Sequence, residues 1–255
     1  MSPFVALIPA VVVALAAFRL RALNGAGAAA AIGVAVTLLG AQGWGGGAVL
    51  LAFFIPTTLV SQWLPDATAR LDAKGNRRDA VQVLANGGAA ALGAALWPDR
   101  LEGMLVATAA LAAAAADTWA TSWGSGSRTP PRSIAGGRVV SSGTSGGITW
   151  RGSLGGTAGA TVVALTGGLV SRSWQLGLIA TVAGITGMLI DSLIGAVWQG
   201  RFLCPECQRP TERAIHGCGT RSELTGGVRW LTNDAVNALA STIAGFAALL
   251  AWPSG

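Results

Sequence analysis

Charge is what this 255-residue sequence has least of: 11% of its residues are Asp, Glu, Lys or Arg, while 52% are hydrophobic. A soluble domain carries about a quarter charged residues. A surface that faces water all round is therefore excluded, and lipid must solvate much of the chain. Lysine is nearly missing, with Lys74 alone beside sixteen arginines. No GKS or GKT follows a glycine loop, which excludes a Walker A motif, and no strand–helix glycine fingerprint for a dinucleotide is present. No basic stretch precedes the first apolar run, whose charges (Arg19 and Arg21) come after it, so a cleaved signal peptide is not expected.

What is present is a chain of mean hydropathy +0.56, rich in Ala and Gly. Small residues weaken packing in water, but in a bilayer they let helices approach closely. The apolar pattern predicts an all-α, polytopic membrane helix bundle of about eight transmembrane helices. They lie near 3–18, 26–42, 46–64, 80–97, 102–122, 153–171, 175–198 and 231–252, each close to the 17–25 residues that a bilayer requires. Fifteen of the seventeen basic residues fall in alternate gaps between these segments, and only Arg100 and Arg172 fall in the others. The positive-inside rule then puts both termini outside. Residues 1–255 form a single transmembrane domain with cytoplasmic loops 65–79, 123–152 and 199–230. The Arg, Ala and Gly bias suggests a bacterial source and hence the inner membrane.

Two octets match. Asp79-Ala-Val-Gln-Val-Leu-Ala-Asn86 opens the fourth segment and Asp234-Ala-Val-Asn-Ala-Leu-Ala-Ser241 the eighth. They fit either a parallel 4+4 repeat or convergence at helix starts, where Asp is favoured. Asp79, Gln82 and Asn86 fall on one helical face, and Asp234, Asn237 and Ser241 repeat that stripe. Such a stripe is costly toward lipid and is expected to face the bundle or a wet cavity. Its residues either act on a ligand, or cap helices and bond neighbours. Asp117 follows the run Ala112–Ala116, and Asp191 lies between Gly187 and Gly195. Carboxylates inside a membrane are functional candidates, and two with Asn could hold Mg²⁺ by oxygen ligands shared with phosphates. The alternative is a hydrogen bond between helices.

The loop at 124–156 carries Arg128, Arg132 and Arg138, then Ser141-Ser142-Gly143-Thr144-Ser145-Gly146-Gly147. Backbone N–H groups at glycines, hydroxyls and arginines could together grip a polyphosphate, or the stretch could be a flexible linker. Every Cys and His lies in the next loop: Cys204-Pro-Glu-Cys207, then His216-Gly-Cys218. These are four ligands, the number a closed tetrahedral Zn²⁺ site needs, in a compartment where thiols stay reduced. With all four positions filled the metal would be structural.

Taken in order, several blocks resemble the membrane family that includes plant phytyl-phosphate kinase and animal transmembrane protein 19. They are Arg77-Arg78-Asp79-Ala-Val-Gln82-Val-Leu-Ala-Asn86-Gly87, Ala116-Asp117-Thr-Trp-Ala-Thr121, Gly143-Thr144-Ser145-Gly146-Gly147, Gly152-Ser153, His216-x-Cys218-Gly219 and Trp230-Leu-Thr-Asn233-Asp234-Ala-Val-Asn237. The resemblance implies a kinase that transfers the γ-phosphate of a nucleoside triphosphate, CTP in the first instance, to an isoprenyl monophosphate of phytyl or geranylgeranyl type. No nucleic-acid partner is expected. On this reading Asp117, Asp191, Arg78 and Asp79 are catalytic, and Mg²⁺ is held at Asp117, Asp191 and Asp234. Arg77, Arg132, Arg138, Ser142, Gly143, Thr144, Ser145, Gly146, Asn86, Gln82, Asn233 and Asn237 bind nucleotide or phosphate. A transporter and a nucleotidyltransferase that forms a CDP-lipid are the alternatives.

Overall fold

The computed structural model describes residues 2–64, 77–211 and 215–253. Arg70 and Lys74 of the second expected inner loop, and Arg213 of the last, lie outside the described residues. Seven α-helices carry the fold: α1 (Pro3–Arg19), α2 (Gly25–Trp63), α3 (Ala80–Leu96), α4 (Leu101–Ser125), α5 (Trp150–Val170), α6 (Trp174–Val197) and α7 (Asn233–Ala247). A 3-10 turn, Ala248–Ala251, extends α7.

Side-chain caps fix where most of these helices begin. Asn24, Thr149, Ser173 and Thr232 each accept a hydrogen bond from the backbone N–H three residues on, at the starts of α2, α5, α6 and α7. A polar N-cap matters in a membrane because the first N–H groups of a helix have no partner within it.

The 39 residues of α2 are not one rod. Gly43 sits at φ 60°, ψ −154°, a conformation open to glycine and strained for other residues. A Cβ on Gly46 would lie 2.5 Å from the carbonyl oxygen of Leu38 and 2.9 Å from Cβ of Gln42. In a continuous helix residues 38 and 46 would be about 12 Å apart. The chain therefore folds back at Gly43, and α2 is two antiparallel arms, close to the expected segments 26–42 and 46–64. Counting α2 as one, five helices are long and apolar enough to cross a membrane: α2, α4, α5, α6 and the Asn233–Ala251 stretch. α1 and α3 are apolar but only 17 residues long. The chain is a polytopic membrane helix protein.

α4 is the axis of the bundle. Every residue from Gly103 to Ala116 is buried, and the helix packs against α2, α3, α5, α6 and α7. The alanine run makes this possible: with methyl side chains on all faces, five neighbours reach its backbone. α5 meets it through buried Gly152, Gly155, Gly156 and Gly159. α1 packs on α2 and stands at the edge.

Two small sheets qualify the all-α expectation. β1 (Arg132–Ser133) and β2 (Gly147–Ile148) pair antiparallel in the loop between α4 and α5. β3 (Arg201–Leu203), β4 (Pro210–Thr211) and β5 (Glu223–Gly226) form a three-stranded antiparallel sheet in the order β4-β3-β5, between α6 and α7. Apolar periodicity is silent about strands of two to four residues. Loop 19–25 and the residues before α3 are also stitched together: Asn24 N–H donates to the Arg78 carbonyl (3.1 Å), and Arg78 N–H donates to that of Ala22 (3.0 Å).

Candidate functional site

Four helices bring polar side chains to one small cleft. Asn86 comes from α3, Asp117 from α4, Asp191 from α6, and Asn237 with Ser241 from α7; Ala113, Ala114, Gly187 and Ala240 complete the lining. Its volume of ≈ 10 Å³ is about that of one water sphere. Asp191 is buried, with 9% of its surface exposed, and Asp117 is half-buried. Oδ1 of Asn237 is buried without a hydrogen-bond partner. An orphaned buried oxygen is costly, of order 1–3 kcal/mol. A cation or water seated among these oxygens would satisfy it.

The sequence explains how these groups come so close. A Cβ on Gly187 would lie 2.6 Å from that of Ala113 and 2.8 Å from that of Ala244. α6 therefore meets α4 and α7 at the distance only a missing side chain allows, one turn from Asp191. Ser241 Oγ donates across helices to the Ala85 carbonyl (3.1 Å), which holds α7 against α3 next to Asn86. Asn86 lies seven residues beyond the N-cap of α3, and Asp191 six residues before the end of α6. The cleft is thus roughly 9–10 Å inside the helix ends.

Other expected site residues lie elsewhere. Asp79 and Gln82 form a capping box at the start of α3: Asp79 Oδ1 accepts from Gln82 N–H (2.9 Å) and Gln82 Oε1 from Asp79 N–H (3.0 Å). Thr232, not Asp234, caps α7. Asp234 is half-buried in the first turn of that helix, Asn233 is exposed, and neither lines the cleft. Arg77 is exposed.

The Gly/Ser/Arg loop is closed by the β1–β2 pair, and its residues do not line the cleft. Arg132 Nη1 donates to the Gly137 carbonyl (2.9 Å), and Arg138, Ser142 and Thr144 are exposed. Ser145 and Gly143 are half-buried, and Gly143 has φ 86°. Gly146 has φ 74° and lies against the Ser192 carbonyl and Ala196. Its lack of a side chain is used to seat the loop on α6.

A second space was not foreseen. It lies between α1, both arms of α2, and α3, with a volume of ≈ 70 Å³. Ala10, Ala14, Ala17, Val34, Phe53 and Phe54 give it an apolar wall, while Arg78, Gln82 and Asn86 are its polar residues. Asn86 lines this cavity and the cleft alike. The signal was in the sequence: Ala6, Ala10, Ala14 and Ala17, all buried, form a small-residue stripe at helical spacing on α1. Arg78 is half-buried, and desolvation lowers its pKa to about 10. It keeps its charge at neutral pH.

The cysteine cluster forms as a unit. The ligand atoms of Cys204, Cys207, His216 and Cys218 all lie within 4.8 Å of one another. Cys204 Sγ is 3.6 Å from Cys218 Sγ, and His216 Nδ1 is 3.0 Å from the latter. Two thiolates on one tetrahedral Zn²⁺ would be roughly 3.8 Å apart, from Zn–S bonds of about 2.3 Å. Gln208 (φ 52°) and Gly219 (φ 87°) turn the chain just after Cys207 and Cys218. Cys207 N–H points to Cys204 Sγ (3.5 Å). Hydrogen bonds from Thr220 and His216 pull the Cys218 thiol down to about 6. Those of Cys207 with Cys218, together with its desolvation, push the Cys207 thiol up to about 11.

The chain is similar to Protein PGR of Arabidopsis thaliana, with 29% identity over 265 residues, covering 92% of this chain and 90% of that protein. It is also similar to Uncharacterized membrane protein MJ0933 of Methanocaldococcus jannaschii, with 36% identity over 152 residues, covering 59% of this chain and 64% of that one. No solved structure matches it. The model of the family described as Integral membrane protein DUF92 matches residues 8–245. That match spans nearly all of the helical bundle and bears out the family resemblance carried by the motifs. The chain belongs to the Integral membrane protein DUF92 family.

Proposed function

We propose that this protein is a membrane phosphotransferase that moves the γ-phosphate of a nucleoside triphosphate, CTP by family resemblance, onto an isoprenyl monophosphate. The observation that carries the reading is the convergence of Asp117, Asp191, Asn86, Asn237 and Ser241 on one cleft that shares Asn86 with an apolar cavity. A scaffold has no need of five polar groups inside a bundle, where each costs stability.

The donor set of the cleft is all oxygen and amide, with neither sulfur nor imidazole, which suits Mg²⁺. Asp117 and Asp191 would be its carboxylate ligands, and the orphaned Asn237 Oδ1 supports a further one. Bound there, Mg²⁺ would neutralise charge on the transferring phosphates. The protein's own work is positioning. Arg78 holds the acceptor phosphate at the mouth of the cavity, while the small volume of the cleft, ≈ 10 Å³, limits water as a competing acceptor. A phosphate monoester has a second pKa of about 6, so its oxygen attacks without a strong general base. Arg132, Arg138 and the Ser142–Gly146 loop are proposed to hold the nucleotide from the side of α6. The Cys/His cluster is proposed to hold a structural Zn²⁺.

The same reading includes eight crossings, with α2 contributing two through its fold at Gly43, both termini outside, and the cleft on the cytoplasmic side of a bacterial inner membrane. It also includes the parallel 4+4 repeat, supported by the equivalent stripe positions Asn86 and Ser241 lining one cleft.

The test is turnover by purified protein in detergent with Mg²⁺, each of the four nucleoside triphosphates and a panel of prenyl monophosphates. Equal amounts of lipid diphosphate and nucleoside diphosphate are expected. Pyrophosphate with a nucleotide-linked lipid would replace the kinase by a nucleotidyltransferase. No product from folded protein, together with flux in proteoliposomes, would replace it by a transporter.

A further inference from the structure

The cavity between α1, α2 and α3 belongs to neither the cleft nor the metal cluster, and its geometry is that of a partial slot. It follows α1 from Ala17 to Ala10 and α3 from Arg78 to Gly87, a depth of roughly 10–13 Å at the helical rise. Its walls are apolar, and its fixed charge is Arg78. On one side the slot is bounded by α1, which packs on α2 and scarcely touches α3. Val83 of α3 packs on the cluster of Ala14, Ala17 and Leu23, and the rest of the seam between α1 and α3 is lightly packed. The outer face of α1 (Phe4, Ile8, Val12, Leu15) is exposed and apolar, so a bilayer would lie against it.

The size of the slot decides what it can take. A cavity of about 150 Å³ accommodates a benzene ring. At ≈ 70 Å³ this one has room for a few carbons and not for a 15- or 20-carbon chain. We propose that a single-chain lipid monophosphate enters sideways through the α1–α3 seam and seats only the first hydrocarbon unit next to its phosphate here. The phosphate then lies by Arg78 at the end of the slot, and the rest of the chain stays in the membrane. Resting on the phosphotransferase reading, this assigns the slot the acceptor lipid and a specificity rule: the protein reads the head-proximal unit and is indifferent to chain length. Burial of Arg78 lowers its pKa through desolvation alone, which fits a cation placed to receive an anion.

The test reads binding first, so that it stands apart from turnover. Wild-type protein in nanodiscs would be labelled with two prenyl monophosphates, one with a diazirine in the first isoprene unit and one with it in the last, and labelled residues mapped by mass spectrometry. The head-proximal probe is expected on Ala14, Val34 or Phe54 and the terminal probe on lipid-facing residues. Unlabelled geranyl and geranylgeranyl phosphates should compete equally. Val34→Phe and Ala14→Leu should each weaken binding about 30-fold for both lengths, the worth of two to three methylenes no longer buried. The terminal probe inside the slot, competition that strengthens steadily with chain length, or equal competition by a two-chain phospholipid would each overturn the proposal. Labelling as expected from a protein without turnover would leave the slot standing and remove the kinase.

Discussion

Replacing Gly187 with Ala tests how the cleft is built. The new Cβ would lie 2.6 Å from Cβ of Ala113 and 2.8 Å from that of Ala244. Ordinary carbon contact is about 3.5–4.0 Å, so α6 has to move by about 1 Å away from α4 and α7. Overpacking of this kind costs about 1–3 kcal/mol, offset by about 1 kcal/mol because Ala is the better helix former. Gly88 in α3 supplies the control, since a Cβ there meets nothing within 4 Å and Gly88→Ala keeps only the gain. Thermal unfolding in detergent should therefore separate the two variants by the packing cost, roughly 4–8 °C for about 2 kcal/mol in a chain of this size. The functional effect is larger than the thermal one. A displacement of 1 Å at positions that must align reacting groups can cost about 100-fold in rate, and Asp191 lies one turn from Gly187. Gly187→Ala is expected to lose about two orders of magnitude in turnover, whereas Gly88→Ala keeps wild-type activity. Wild-type turnover in Gly187→Ala would refute the idea that the cleft is where chemistry occurs.

Further outcomes follow from single atoms. Asp117→Asn should abolish turnover while leaving the unfolding temperature near wild type, and Mg²⁺ should raise that temperature in the wild type but not in the variant. Asn237→Leu removes a buried oxygen that has no partner, so it should unfold no earlier than wild type while losing activity; a fall in both would make Asn237 a structural residue. Ser241→Ala deletes the hydrogen bond to the Ala85 carbonyl and should cost about 0.6 kcal/mol, with 1.7 as an upper bound, seen as a small thermal shift. Metal analysis of purified protein should find one zinc per chain, and Cys207→Ser or a strong chelator should lower it and expose residues 199–230 to protease.

The sequence and the structure agree most where a single physical constraint dominates. The apolar segments were legible because a bilayer allows little else, and the helix pair inside α2 was legible because Gly43 to Gly47 interrupts it. The convergence of Asn86, Asp117, Asp191 and Asn237 was legible as a class: polar groups deep in apolar helices have to face one another. The division of labour within the Asp79–Asn86 stripe was not. Asp79 and Gln82 share a helical face with Asn86, yet their backbone partners are within reach and a capping box absorbs them. Periodicity reports the face and not the depth along it. Asp234 shows the same limit, since Thr232 two residues earlier has the hydroxyl that accepts the first free N–H. The apolar cavity escaped notice because an alanine stripe reads equally as close packing or as the wall of a space, and only the position of the neighbouring helix distinguishes them. The two small sheets escaped because strands of two to four residues carry no period.

Helix length connects the cavity to the membrane. α1 and α3 flank the slot and have 17 residues each, about 26 Å of helix at 1.5 Å per residue. A hydrocarbon core is about 30 Å thick. In the eight-crossing reading these two are the shortest crossings, and the shortfall of about 4 Å is met by local thinning or by polar end groups reaching for the interface. Either response draws the inner ends of α1 and α3, and with them Arg78 and the stitched loop at residues 22–24, below the general plane of the headgroups. A lipid monophosphate beside the protein then has its charge level with the Arg78 guanidinium and its first carbons level with Ala14 and Val34. The long helices α4 and α6, of 25 and 24 residues, carry Asp117 and Asp191 to the level of Asn86, eight residues or roughly 12 Å further along α3 than Arg78. In that reading the slot runs from a lipid phosphate at Arg78, just below the headgroups, inward to Asn86, which joins it to the cleft of Asp117 and Asp191.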